Sequence, residues 1–202
     1  MLTPWAALGQ GVTDFYQNHS ESERRYGFRA GVNYSYPIAS AEPRLIAISL
    51  AGLLPRYGFY IGGFYTRPII KDQLSLRIDA TFQQKGLKSR YINGQINLIA
   101  GYYYLGINPQ IGLHLTRNIT LLTGIEFNPL IRTQNAWADT DPLEVGLTFR
   151  LNYMFGRVGA EISYFKGFTR FAQAVTQIAG AGPFDLYNQS AQVGLVYKWG
   201  RK

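Results

Sequence analysis

Between Tyr26 and Tyr36 the chain alternates strictly: Tyr26, Phe28, Ala30, Val32, Tyr34 and Tyr36 are opposed by Gly27, Arg29, Gly31, Asn33 and Ser35. Side chains on a strand point to opposite faces in turn, so this is a strand with one apolar and one polar surface. The pattern recurs near 74–83, where Leu74, Leu76, Ile78, Ala80 and Phe82 oppose Ser75, Arg77, Asp79, Thr81 and Gln83. It returns near 104–115 and 119–128, then most clearly over 143–155, and again from Val158 to Tyr164 and from Ser190 to Trp199. Segment 58–67 is strand-like but has aromatics on both faces. The total is eight strands.

Connections near 68–73, 116–118 and 156–157 are tight, whereas those near 37–57, 84–103, 129–142 and 168–187 are long. Short turns at one end and long loops at the other describe an up-and-down meander that closes when its first and last strands pair. Outer-membrane barrels have this asymmetry, with the short turns in the periplasm. No stretch approaches the roughly 18 to 20 apolar residues of a membrane-spanning helix. The expected fold is therefore all-β, an eight-stranded antiparallel up-and-down transmembrane β-barrel over residues 26–200. An N-terminal extension, residues 1–25, precedes it.

The alternation alone fits a soluble barrel with apolar residues inside as well as a membrane barrel with apolar residues outside. A water-facing surface is dense in Lys, Glu and Asp. Here the polar face is mostly Gly, Asn, Ser, Thr and Gln, and charged residues make up only 16% of the 202-residue chain. Inside a narrow barrel, which side chains fill completely, small residues make room for a few long ones. The apolar face carries Tyr26, Tyr34, Tyr36, Tyr153, Tyr197 and Trp199 toward strand ends, as an interfacial aromatic girdle does. Lipid outside is the better reading.

Formal charge is +8, but the basic residues are scattered singles and pairs, which points away from nucleic acid and toward anionic lipid headgroups, phospholipid or lipopolysaccharide. With no Cys, thiolate metal sites and nucleophiles are excluded. His19 and His114 are the only histidines and make a poor metal site. No cofactor is implied.

Six segments resemble the PorT-like outer-membrane β-barrel domain known mainly from the Bacteroidota. They are GFRAGVNYS (27–35), GFYIGGFYTRPIIKDQLSLRIDATFQQKG (58–86), YLGINPQIGLHL (104–115), LLTGIEF (121–127), VGAEISYFKGFT (158–169) and AQVGLVYKWG (191–200). The resemblance implies an eight-stranded barrel delivered to the outer membrane by a cleaved signal, with both termini in the periplasm. It implies no catalytic motif and, for some members, work in protein secretion. The N-terminal extension and the loop at 84–103 depart from the family pattern.

The inward charges are Arg29, Arg77, Asp79, Glu126, Glu144, Arg150, Glu161 and Lys198. Buried charges require partners, so the expectation is an interlocking salt-bridged plug rather than a selective constriction or proton path. Across the 156–157 hairpin, Glu161 should lie opposite Asn152 and diagonal to Arg150. His114 with Ser75 and Glu161 is the one conceivable catalytic constellation, and nothing in the sequence brings the three together at a lipid interface. The extension has apolar residues at near-helical spacing, and Trp5, Phe15 and Tyr16 are its candidate docking residues. The functional expectation is a non-enzymatic accessory subunit of an envelope assembly (secretion, biogenesis or uptake), contacting other outer-membrane or periplasmic proteins. A freestanding barrel with a lipid-binding, adhesive or small-solute role, or a lipid-modifying enzyme, would be the alternatives.

Overall fold

The computed structural model describes residues 25–40, 53–71, 73–90, 96–136, 139–174 and 184–199. Its strands are β1 (Arg25–Ser40), β2 (Leu53–Ile70), β3 (Leu74–Arg90), β4 (Ile96–His114), β5 (Ile119–Gln134), β6 (Asp139–Thr140), β7 (Leu143–Phe155), β8 (Val158–Ala174) and β9 (Phe184–Trp199). Each long strand pairs antiparallel with its neighbours in the chain, and β9 pairs with both β8 and β1. The result is a closed eight-stranded barrel with no free long edge. The two-residue β6 continues the line of β7 past a break at Asp141 and Pro142, pairing with Gln173 and Ala172 of β8.

Strand faces agree with the alternation in sequence. Arg29, Asn33, Arg77, Asp79, Asn108, Gln110, Arg150, Asn152 and Glu161 are buried in the lumen. Phe28, Val32, Ile78, Ile107, Ile125, Ile162, Val193 and Leu195 stand exposed on the outer wall. An apolar exterior around a polar interior inverts the usual globular arrangement, and only a hydrocarbon surround makes it favourable. At the turn end of this wall Tyr26 packs on Tyr65 with ring centroids 5.0 Å apart, and Tyr153 on Phe155 at 4.4 Å. Farther along, Tyr34 packs on Tyr57 at 5.1 Å and on Tyr36 at 6.1 Å. Tyr197 and Trp199 also face outward at the turn end.

Ile70 and Leu74 pair across the tight β2–β3 connection, and the other tight turns fall at 115–118 and 156–157. Gly156 has φ +66°, the left-handed first position that a two-residue hairpin takes readily only with glycine. Inward glycines provide close approach: a Cβ at Gly31 would lie 2.6 Å from the Tyr60 hydroxyl, and one at Gly146 would lie 2.5 Å from the Phe165 ring.

The strands exceed the sequence expectation at the loop end. Segments 37–40, 53–57, 84–90, 96–103, 129–134, 168–174 and 184–187 are strand rather than loop. The reason is a reversal of polarity along the barrel's height. Above the upper aromatic rings the lumen turns apolar, with Ala39, Leu87, Ala100, Tyr102, Tyr104, Phe171, Ala172 and Leu186 in one buried cluster. The wall outside it carries Ser40, Arg132 and Gln134. A pattern whose faces exchange polarity midway loses its periodic signal. Barrel strands of 13 to 19 residues exceed the roughly 9 to 11 that cross a bilayer, so the barrel stands above the membrane on its loop side.

Depth on the outer wall should govern the cost of a charge. Val193→Arg, midway between the aromatic belts, is expected to destabilise the folded barrel by about 2–4 kcal/mol in urea titrations from lipid vesicles, and Ile70→Arg at the turn rim by about 0–1 kcal/mol. Equal costs would mean that the wall between the belts does not face hydrocarbon.

Candidate functional site

The lumen holds a layered polar network whose centre is Asp79. This carboxylate is fully buried and accepts from three guanidinium groups. Arg77 Nε donates to Oδ1 at 2.6 Å, and Arg29 Nη1 to Oδ2 at 3.2 Å. Arg150 Nη1 donates to Oδ2 and, at 3.1 Å, to Gln110 Oε1. The donors come from β1, β3 and β7, so one carboxylate ties three sides of the barrel together. Arg29 also places Nε and Nη2 each 2.7 Å from Glu161 Oε1, which accepts from the Tyr60 hydroxyl at 2.8 Å. Glu161 pairs with Asn152 in register, as expected, and its Oε2 lies 3.9 Å from Arg150 Nε.

An amide layer follows toward the loop end. Gln192 accepts from Arg29 at 3.1 Å and donates to Gln83 Oε1 at 3.2 Å. Gln83 Nε2 in turn donates to Glu126 at 2.6 Å and to Asn128 at 2.7 Å. Glu126 takes further bonds from Asn108 at 3.2 Å and Thr148 at 2.9 Å. Beyond it, Lys85 Nζ donates to Glu144 at 2.7 Å and lies 3.6 Å from the Phe165 ring centroid, a desolvated cation on an aromatic face.

The linked network thus carries four cations, Arg29, Arg77, Lys85 and Arg150, against four carboxylates, Asp79, Glu126, Glu144 and Glu161. Apolar clusters bound it at both ends. On the turn side Phe64, Met154 and Val196 form one, and the Arg77 guanidinium sits 3.7 Å from the Phe64 ring. On the loop side Leu87, one inward position past Lys85, belongs to the other.

Of the charges singled out from sequence, Arg29, Arg77, Asp79, Arg150 and Glu161 meet in one layer, and Glu126 and Glu144 lie above it. Lys198 does not join them; it lines a cavity at the turn end. Sequence reasoning missed Lys85, placed in a loop because the alternation of β3 stops at Gln83, and Tyr60, hidden by the aromatics on both faces of β2. An inward parity count extended two residues past Gln83 would have reached Lys85. Glu161 is committed to Arg29 and Tyr60, while Ser75 donates to the Gly112 carbonyl at 3.5 Å and His114 contacts Thr120 at 3.1 Å. Trp5, Phe15 and Tyr16 lie outside the described residues.

At the loop rim Arg170 binds Asp141 through two bonds, of 2.8 and 3.0 Å, and Asp185 at 3.3 Å. Those bonds hold the Asp141 carboxyl below its ordinary pKa, and they fix the β6–β7 break onto β8.

No known family model matches the chain, and no curated protein matches it. Among solved structures it is similar to the outer membrane protein OprG from Pseudomonas aeruginosa, with TM-score 0.53 and 12% identity over 91% of this chain and 99% of that one. It is also similar to Ail, the attachment invasion locus protein of Yersinia pestis, with TM-score 0.49 and 10% identity over 88% of this chain and 99% of that one. At 12% identity the likeness to OprG shows a shared fold alone, the closed eight-stranded barrel.

The Lys85–Glu144 pair gives a direct handle on the network. Lys85→Met leaves Glu144 buried without its cation and is expected to cost about 3–5 kcal/mol of unfolding free energy in detergent, with Lys85→Met combined with Glu144→Gln recovering most of it. A double variant as unstable as the single one would contradict the pairing.

Proposed function

We propose that this protein is a non-enzymatic outer-membrane barrel that serves as an accessory subunit of a larger envelope assembly. The observation that carries the reading is the lumen. Its charges are spent on one another, between two apolar clusters, and eight strands leave room for side chains rather than a water channel. The barrel is then an anchor, and its working surface lies at its ends. The apolar wall between aromatic belts supports an outer-membrane location, with lipid as the constant partner. The six segments resembling PorT-like barrels support a place in secretion or biogenesis.

Support for protein contacts comes from the rim above the upper belt. Ile38, four residues past Tyr34, and Phe168, four past Tyr164 at the level of Tyr34, remain 41% and 54% exposed, and Tyr187, paired with Ile38 in register, stands between their strands. Apolar side chains gathered above the lipid form a surface that a partner protein covers. The N-terminal extension with Trp5, Phe15 and Tyr16 would add a periplasmic contact.

A photo-activatable amino acid placed at Phe168 or Ile38 in cells is expected to yield discrete protein adducts, whereas the same group at Val193 yields none. Absence of protein adducts at all three positions, with a monodisperse barrel after mild detergent extraction, would support a freestanding barrel instead.

A further inference from the structure

At the turn end the barrel opens into a cavity of about 740 Å³, within the size range of small-molecule sites. Arg25, Arg117 and Lys198 line it with the hydroxyls of Thr66, Ser75 and Thr120, and no carboxylate among the described residues does so. Within those residues none of the three cations has an ion-pair partner. This departs from the ion layers deeper in the lumen, where Arg29, Arg77, Lys85 and Arg150 each face a carboxylate.

The charge order behind the cavity adds to its potential. The nearer ion layer sets three guanidinium groups, Arg29, Arg77 and Arg150, against Asp79 and Glu161. The balancing excess of carboxylate, Glu126 and Glu144 against Lys85, lies on the far side of the amide layer. A mouth lined by one sign of charge within low-dielectric walls concentrates counter-ions. Here the walls are the Phe64, Met154 and Val196 cluster and the surrounding lipid.

We propose that this vestibule binds a phosphate-bearing ligand between Arg25, Arg117 and Lys198. Two guanidinium forks match the oxygens of a tetrahedral oxyanion, an ammonium adds a mobile point charge, and the Thr66 hydroxyl supplies a neutral donor. A dianion neutralises more of the mouth's positive charge than a single carboxylate does. The phosphate could belong to a soluble ester or to the headgroup of a neighbouring phospholipid.

The full chain, folded in a phosphate-free maltoside detergent, is titrated with pyrophosphate and separately with monomeric dihexanoylphosphatidylglycerol while backbone amide resonances are followed. Saturable shifts at Arg25, Arg117, Thr120 and Lys198, without shifts at Val193, are expected from one probe or both. Tighter binding of pyrophosphate assigns the soluble source, and tighter binding of the short-chain lipid assigns the headgroup. Lys198→Gln combined with Arg117→Gln should weaken binding by at least about tenfold, the loss expected for one charge-assisted contact. The proposal is overturned if neither probe gives saturable shifts, if matched sodium chloride reproduces them, or if the double variant, with native heat-modifiable gel mobility, binds as the wild type does.

Discussion

One buried carboxylate sets the conditions for the rest of the molecule. Asp79 lies where neither water nor lipid can solvate it, and three arginines from separate strands turn inward to it. Removing an ion from water costs several kcal/mol even after relaxation, and only close, hydrogen-bonded counter-charges offset that cost. Three guanidinium groups on one carboxylate leave a positive excess in turn. Glu161 answers it, and the amide chain through Gln192 and Gln83 connects the layer to Glu126 and Glu144. The interior is therefore a single linked solution to a solvation problem, and changing one member leaves another uncompensated.

The barrel passes through two solvents along its height, and its faces change accordingly. Between the aromatic belts lipid lies outside, so the outer wall is apolar and the lumen polar. Above the upper belt water lies outside, so Leu87, Tyr102 and Leu186 turn inward to form a small conventional core. Strand geometry continues unbroken through this change, because backbone pairing does not depend on which face is apolar. The polar network is thereby enclosed from both ends.

Most of the membrane-spanning part was legible in sequence because its period-two alternation is uniform. Assigning Arg29, Arg77, Asp79, Arg150 and Glu161 to one side followed from parity alone. Of their contacts, Glu161 beside Arg150 followed from the 156–157 hairpin; the others did not, since strand stagger around a closed barrel sets the layers. Lys85 and the strand extensions were illegible for a physical reason, namely that the exchange of polarity between the faces erases the alternation that marks a strand. Tyr60 was masked by its neighbours Phe59, Phe64 and Tyr65, and the vestibule around Lys198 depends on turns that meet only when the barrel closes.

A lumen filled by compensated charges between apolar clusters directs function to the barrel's surfaces and mouths. Current across planar lipid bilayers containing the purified, folded barrel measures this most directly. A sealed lumen predicts a silent membrane, with no discrete steps at any physiological voltage. Stable, ohmic steps from the wild-type barrel would show that ions pass the Asp79 layer and would contradict it.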